Sequence, residues 1–300
     1  MAGQGGCGLG VRAGCSSQAV DPVITDEAAI PDVAAGSEFP RDCYTGSNGR
    51  FLVRDNLPDA SGWPPLDGTL AARLRPSRNE QWIRLLFPAR CVMCDAVLPQ
   101  DRGLLVCDPC RCVLVPAEPQ WMPCPDWPEL DAWYGAFPYA GGIEQAIRRM
   151  KYNGCPGHAS VLGYLLAMAG AGMAADCGIV PVPMHRRKER ARGYNQSVLI
   201  AEEVGKEWHM DVHPFLVRKT ADTSAQNGKD RHRRFEVLTG AFTPCPGGEA
   251  PVRPDILLLD DVVTTGSTLR ATAAAIREAY GLVGVRPESV RIRAMTVAYA

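Results

Sequence analysis

The sequence lacks an apolar run long enough to be a comfortable membrane span. Its longest stretch without Asp, Glu, Lys, Arg or His is residues 159–175, which contains three glycines, whereas a transmembrane helix needs about 20 apolar residues. The glycine-rich N-terminus shows no basic segment followed by an apolar one, so no signal peptide is predicted. We therefore expect a buried helix at residues 159–175, no membrane insertion and a cytoplasmic location.

Histidine and aromatic residues are also scarce. The five histidines are scattered along the 300 residues, and their spacing indicates no metal site. Aromatic residues make up 7% of the chain, and Tyr194 and Phe235 are the only ones among the basic clusters. Few side chains are thus available to stack on nucleic-acid bases.

Hydrophobic residues are plentiful, at 46% of the chain, which excludes a wholly disordered protein. The formal net charge of −1 conceals an uneven distribution, because basic clusters lie at residues 148–151, 186–192 and 229–234. An anionic partner should therefore contact the later part of the chain.

Composition divides the chain into three parts. Residues 1–78 are dominated by Gly, Pro, Asp, Ala and Ser, with too few apolar positions to offset the entropy lost on ordering, so we predict a disordered extension there. A cysteine module is predicted at residues 79–115 and a larger domain at residues 130–300. The Pro- and Trp-rich residues 116–128 are interpreted as a linker.

Strand and helix patterns alternate in the larger domain. Strands are predicted at residues 133–139, 178–182, 213–217, 256–259 and 290–298, and helices at residues 143–151, 159–175, 195–208 and 267–280. Such alternation is typical of an α/β fold in which a parallel sheet is flanked by helices on both faces.

Four of the twelve cysteines form two tight pairs. Twelve residues separate the pair Cys91 and Cys94 from the pair Cys107 and Cys110. This spacing is typical of a four-cysteine structural zinc site, in which the metal stabilises the fold. An iron–sulfur cluster or a redox-active dithiol would use the same four residues and stays open as an alternative.

Residues 256–268 are the most informative segment. Four apolar residues lead into Asp260 and Asp261, and two valines then precede a hydroxyl-rich turn and an alanine-rich helix. The turn consists of Thr264, Thr265, Gly266, Ser267 and Thr268. Open α/β sheets bind their ligands at the carboxyl ends of parallel strands, where this turn is predicted to lie.

This arrangement predicts a pocket for ribose 5-phosphate. Backbone N–H groups, hydroxyls and the positive end of the helix dipole suit a dianionic phosphate, and Gly266 lets the backbone close around it. The carboxylates of Asp260 and Asp261 would repel the phosphate, so we expect them to accept hydrogen bonds from the ribose diol. The alternative is an ordinary helix cap after a buried strand.

The same segment resembles the motif with which type I phosphoribosyltransferases bind phosphoribosyl pyrophosphate (PRPP). Over residues 82–298 the chain resembles the ComF family, whose members place a zinc module before a phosphoribosyltransferase-like domain. Besides the cysteine pairs, the resemblance rests on residues 180–183, 192–196 and 240–242. It implies a type I phosphoribosyltransferase-like fold preceded by a zinc ribbon, with PRPP bound together with Mg²⁺.

The resemblance also implies roles for individual residues. Catalysis would fall to Asp260, Asp261 and Arg192. The substrate would be bound by the turn at residues 264–268 and by Pro181, Val182, Pro183, Arg190, Lys219 and Gln226. Residues 181–185 resemble the pyrophosphate loop and residues 218–234 the mobile loop, although the basic residues after position 185 could instead be a solvated helix face. The mobile loop departs from the family pattern at residues 224, 225 and 237, so the acceptor is not indicated.

Two functions are consistent with these patterns. The first is Mg²⁺-dependent transfer of the phosphoribosyl group from PRPP to a nitrogen acceptor, in which the protein supplies positioning and charge stabilisation. The second is a non-catalytic accessory role in competence and DNA uptake, with single-stranded DNA and the competence machinery as partners. No general base is evident in the sequence, so turnover is left open.

Overall fold

The computed structural model describes residues 87–99, 104–173, 176–222, 240–245 and 254–300. These residues all belong to one compact unit, Arg41–Ala300. The extension predicted at residues 1–78, most of the predicted mobile loop and Gln226 lie outside the described residues. Within them, no helix is both long and apolar enough to span a bilayer.

Six helices and six strands are described. The helices are α1 Asp108–Cys112, α2 Gly141–Tyr152, α3 Gly157–Ala169, α4 Arg186–Arg192, α5 Gln196–Trp208 and α6 Ser267–Leu282. The strands are β1 Ala132–Pro138, β2 Gly178–Pro181, β3 Val217–Lys219, β4 Phe242–Pro244, β5 Asp255–Val263 and β6 Arg291–Tyr299. A short 3₁₀ turn, Pro287–Ser289, precedes β6.

Four of the strands form a parallel sheet in the order β1-β6-β5-β2, which confirms the predicted α/β fold. Alternate residues of β5 enter different cores: Leu257 and Leu259 pack with α2, α3 and α5, whereas Ile256 and Leu258 pack with α6. Because both faces of the strand are covered, its apolar run is continuous rather than alternating.

Three predicted boundaries are wrong. The strand predicted at residues 213–217 is instead β3, which begins at Val217 and pairs antiparallel with β4, because Pro214 lies in a turn before it. The helix predicted to reach residue 175 ends at Ala169. Strand β5 continues to Val263, so the two acids lie within the strand and not after it.

The segment interpreted as a linker is attached to the sheet. Met122 pairs with Trp133, and the Ala117 N–H donates to the carbonyl of Ala136 in β1. Farther along, the carboxylate of Glu129 accepts two hydrogen bonds from Arg270 in the first turn of α6, at 2.6 and 3.0 Å. These contacts make the segment part of the α/β domain.

The cysteine module shares a core with the helices of the sheet. Met93 is buried against α2, where a Cβ added to Gly142 would lie 2.9 Å from the Met93 Cβ. Arg149 of α2 donates hydrogen bonds to the carbonyls of Val92 and Met93, each at 3.3 Å. The turn between the first two cysteines is therefore fixed to α2.

Gly163 allows α3 and α5 to approach closely. An added Cβ would lie 2.8 Å from the Cβ of Glu203 and 2.9 Å from the carbonyl oxygen of Ile200. We expect Gly163→Ala to lower the free energy of unfolding by about 1–3 kcal/mol, because the helices must separate. Chemical denaturation measures this, with Gly157→Ala as control, since that Cβ would meet open space. Equal stabilities of the two variants would contradict the close packing.

Candidate functional site

The four predicted metal ligands lie together. One ligand atom from each of Cys91, Cys94, Cys107 and Cys110 falls within 4.8 Å of the others, and the sulfurs of Cys94 and Cys107 are 3.5 Å apart. A tetrahedral zinc with bonds of about 2.3 Å needs sulfurs about 3.8 Å apart. The arrangement fits a single metal ion held by all four residues.

The electrostatics of the cluster also favour a cation. A hydrogen bond from Cys110 lowers the pKa of Cys91 to about 4, and the same bond raises the pKa of Cys110. Burial raises the pKa of Cys107 to about 11. One thiolate thus disfavours ionisation of its neighbours, whereas a bound dication would stabilise all four thiolates together.

The two acids of β5 lie where the sheet is open on one side. Strand β2 ends at Pro181, which pairs with Leu259, and β5 continues beyond that level while still paired to β6. On the side away from β6, Asp260 therefore contacts the N-terminal residues of α5 instead of a second strand. Both acids are buried, with 7% and 3% of their surfaces exposed.

A hydrogen-bonded network holds Asp260. Its Oδ1 accepts from the Ser197 hydroxyl at 2.8 Å and from the Asp261 N–H at 2.9 Å. Asn195, the N-cap of α5, accepts from the Ser197 N–H and donates to the carbonyl of Val182, both at 3.1 Å. The network joins the end of β2, the start of α5 and the acids of β5.

Asp261 forms an ion pair with Lys151 at the end of α2. The Lys151 Nζ lies 2.7 Å from the Asp261 Oδ2, and the side chains are 21% and 4% exposed. Burial lowers the pKa of Lys151, but the Asp261 and Asp260 carboxylates raise it, and the net shift is upward. The ammonium therefore stays charged at neutral pH and neutralises one of the two acids.

The second acid is affected mainly by burial. Burial and the neighbouring Asp261 charge raise the pKa of Asp260 to about 7, against the opposing effects of Ser197 and Lys151. Asp260 can thus exchange a proton near neutral pH, and a cation or a hydrogen-bond donor brought close to it would favour its ionised form.

The turn after β5 leads directly into α6. Gly266 is the N-cap of α6 with φ 70°, so no side chain caps the helix, and the first N–H groups of α6 have no acceptor within the helix. Thr265 and Ser267 bring their hydroxyls to within 3.0 Å of each other. Thr264 is exposed and Thr268 half-buried. The turn therefore presents donors suited to an anion.

Trp127 packs against this turn. A Cβ added to Gly266 would lie 2.4 Å from the Trp127 Cζ2, so glycine is required both by φ and by the close approach. The Trp127 ring in turn contacts Trp133, with centroids 5.8 Å apart. The segment that the sequence analysis interpreted as a linker thus supports the backbone of the turn.

The residues predicted for the pyrophosphate loop fall into two groups. Pro181 and Val182 are buried, and the Val182 N–H donates to the Leu259 carbonyl, so both belong to the edge of the sheet. Pro183 is half-buried and begins the loop that leads to α4. The backbone of the loop starts beside the two acids.

The predicted basic residues lie mainly on α4, none of whose residues is buried. Arg190 is exposed, and Arg192 donates to the Gln196 side chain. Among the described residues, neither arginine forms an ion pair with Asp260 or Asp261. The helix fits the alternative of a solvated basic face.

Lys219, at the end of β3, interacts electrostatically with Asp260. Burial and the charge of Lys188 lower the pKa of Lys219, whereas Asp260 opposes that shift. Its Nζ lies 4.9 Å from the centre of the Phe242 ring. Of the cationic side chains predicted to bind the substrate, Lys219 is therefore one that interacts electrostatically with Asp260.

Sequence reasoning missed Lys151, Ser197 and Trp127 as site residues. Lys151 belongs to a basic cluster, Ser197 directly follows a motif used for the family resemblance, and Trp127 lies in the supposed linker. These signals pointed to charge and to local pattern, but none of them indicated a contact with residues more than 60 positions away.

No family model matches the chain. DNA utilization protein YhgH of Escherichia coli (strain K12) is 29% identical over 197 residues, which are 61% of this chain and 82% of that protein. Competence protein F of Haemophilus influenzae is 32% identical over 101 residues, 33% of this chain and 44% of that protein. The match to competence protein ComFC of Bacillus subtilis is 30% over 100 residues, 33% and 38% of the two chains.

Similarity to these competence and DNA utilization proteins supports the predicted ComF family. The chain combines a four-cysteine cluster able to hold a metal ion with a parallel α/β domain.

Metal content tests the cysteine cluster. We expect the purified protein to contain one zinc ion per chain and Cys94→Ser to lose it, because tetrahedral coordination needs all four thiolates. Cys112→Ser is the matched control, since Cys112 is exposed on α1 and is not part of the cluster. Elemental analysis measures both. Full zinc in Cys94→Ser, or its loss from Cys112→Ser, would contradict the assignment, and iron in place of zinc would favour the iron–sulfur alternative.

The pH dependence of stability tests Asp260. Its pKa is about 7 in the folded protein against an ordinary value of 3.8, so its contribution to stability is full below pH about 4 and is lost as the pH rises through about 7. We expect Asp260→Asn to become more stable relative to the wild type over this range. Denaturant titrations at several pH values measure the difference, with the exposed Asp211→Asn as control. Parallel curves for wild type and Asp260→Asn would contradict the shift.

Proposed function

We propose that this chain binds a ribose 5-phosphate ligand, PRPP or a close relative, at the carboxyl end of β5. The proposal is carried by one observation: two buried acids on a central strand are followed directly by a glycine-capped helix start with two neighbouring hydroxyls. A sugar phosphate carries a diol that can donate to the acids and a dianion that can accept from the helix start.

The phosphate would bind at the start of α6. The N–H groups of Ser267 and Thr268, the Thr265 hydroxyl and the positive end of a sixteen-residue helix all favour a negative charge there. Trp127 packs closely against Gly266, which limits the movement of the turn.

The ribose hydroxyls would lie at the acids. The Asp260 hydrogen bonds described above involve its Oδ1, and an ionised carboxylate can accept about four hydrogen bonds. The hydroxyls of the diol would donate hydrogen bonds to the carboxylate oxygens of Asp260 and Asp261 that can still accept them. Since a donor favours ionised Asp260, ligand binding and proton release from Asp260 would be coupled.

Transfer of the phosphoribosyl group is the reaction that such a site would support. Displacement of pyrophosphate from C1 places positive charge on the ribose and negative charge on the leaving group. The acids would stabilise the former, and Lys219 and Arg192 the latter. Mg²⁺ bound with PRPP would add charge neutralisation at the pyrophosphate. The nitrogen acceptor would enter beside the predicted mobile loop.

We propose zinc as the metal of the cysteine cluster, with a structural role. All four coordination positions would be filled by cysteine, which leaves none for a substrate. The cluster lies in the same core as α2 and α3, so the metal would stabilise the face of the domain that carries Lys151. Because reduced thiols persist in the cytoplasm, the same site supports a cytoplasmic location.

A DNA-related role is the second candidate. The relatives named above are competence and DNA utilization proteins, and α4 presents five basic residues with none of the helix buried. Such a face would attract the phosphates of single-stranded DNA, with an affinity that falls steeply with salt. This role is compatible with a ribose-phosphate pocket in the same domain.

Calorimetric titration tests the sugar-phosphate site. We expect ribose 5-phosphate and PRPP with Mg²⁺ to bind, and Ser267→Ala to raise Kd by about tenfold or more, because a hydrogen bond to a charged group contributes about 1.5–3 kcal/mol. Ser289→Ala is the matched control, since Ser289 is exposed just before β6, at the opposite end of the parallel strands from the proposed site. It should bind like the wild type.

The outcomes separate the two functions. If neither sugar phosphate binds the wild type while a single-stranded oligonucleotide binds in a salt-dependent way, the proposed site is refuted and the DNA-related role is favoured. Binding of both ligands, with Ser267→Ala affecting the sugar phosphate alone, would support a pocket and a separate nucleic-acid surface. Release of pyrophosphate on addition of a nitrogen acceptor would establish turnover.

A further inference from the structure

We propose that Lys151 is a positioning residue of the ribose-phosphate site, in which it takes the place beside Asp261 that a divalent cation would otherwise occupy. This inference rests on the proposed function and goes further, because it predicts that ribose 5-phosphate binds without Mg²⁺. It arises from the juxtaposition of the end of α2 with the acids of β5, which lie 110 positions later in the sequence.

The first step is the charge balance of the acids. Two neighbouring carboxylates are buried, and an incoming phosphate adds further negative charge close by. A buried carboxylate without a cation is costly, whereas the Lys151 Nζ at 2.7 Å neutralises Asp261. With Lys151 paired to Asp261, the two acids and the lysine together carry at most one net negative charge.

The second step is the fixed position of Lys151. The residues just before it are held from two directions: Arg149 donates to the carbonyls of Val92 and Met93 in the cysteine module, and the Tyr194 hydroxyl donates to the carbonyl of Met150. Tyr194 directly precedes the N-cap of α5. The end of α2 is thus attached both to the module and to the element that holds Asp260.

The Lys151 ammonium has donors beyond the one directed at Asp261. A lysine Nζ has three N–H donors, and the Asp261 contact uses one direction. About a fifth of the Lys151 side chain is exposed, so the group is not sealed inside the core. It can hold Asp261 oriented toward the ribose diol and still donate to a ligand oxygen.

Binding of ribose 5-phosphate in EDTA and in Mg²⁺ tests this role by calorimetry. We expect the wild type to bind equally well in both. Lys151→Gln keeps a donor for Asp261 but loses the charge, so its Kd in EDTA should rise about tenfold or more, and Mg²⁺ should restore part of the loss. Lys151→Arg, which keeps the charge, should retain most of the affinity in EDTA.

A second neutral variant and a control complete the design. Lys151→Met should show a larger loss than Lys151→Gln if it folds, and the glutamine variant carries the test if it does not. Lys206→Met is the control, because Lys206 pairs with Glu203 on α5 and should bind like the wild type in both buffers.

The possible results are distinct. If the wild type does not bind ribose 5-phosphate in either buffer, the proposed function fails and the role of Lys151 fails with it. If the wild type binds but Lys151→Gln binds equally well in EDTA, only the role of Lys151 is refuted. A wild type that needs Mg²⁺ would also overturn it.

Discussion

Two adjacent carboxylates buried at the end of a central strand impose the main constraint on this protein. Asp260 is difficult to ionise there without partners, because burial and the neighbouring Asp261 charge both raise its pKa. The fold meets this constraint in two ways: a lysine neutralises one acid, while a serine and a backbone N–H bind the other. Elements distant in sequence are therefore required at one place.

The constraint explains why the start of α5 has its sequence. Asn195 caps the helix and binds the end of β2, and Ser197 then points its hydroxyl at Asp260. A cap formed by another residue type would satisfy the helix but would not also fix the edge of the sheet. Local helix capping and the polarity of the site are thus served by the same few side chains.

Local patterns made much of the site predictable. The strand, the acids, the turn and the helix from Asp255 to Leu282 follow one another in sequence, so apolar content and turn residues predict them directly. The four cysteines are likewise identified by their spacing. The partners of Asp261 and of Gly266 were not predictable in this way, because Lys151 and Trp127 reach them only through tertiary packing. The start of β3 was predicted too early, because the turn at Pro214 lies among apolar residues that resemble a strand.

The attachment of α2 to the cysteine module limits how the chain can be divided. Val92 and Met93 supply the acceptors for Arg149, and Met93 fills the space beside Gly142. In a shortened chain that begins after residue 115, this part of α2 would be exposed to solvent. Arg149 would then lack the two carbonyl acceptors of Val92 and Met93. The α/β domain therefore depends on the cysteine module for the packing and hydrogen bonds of α2.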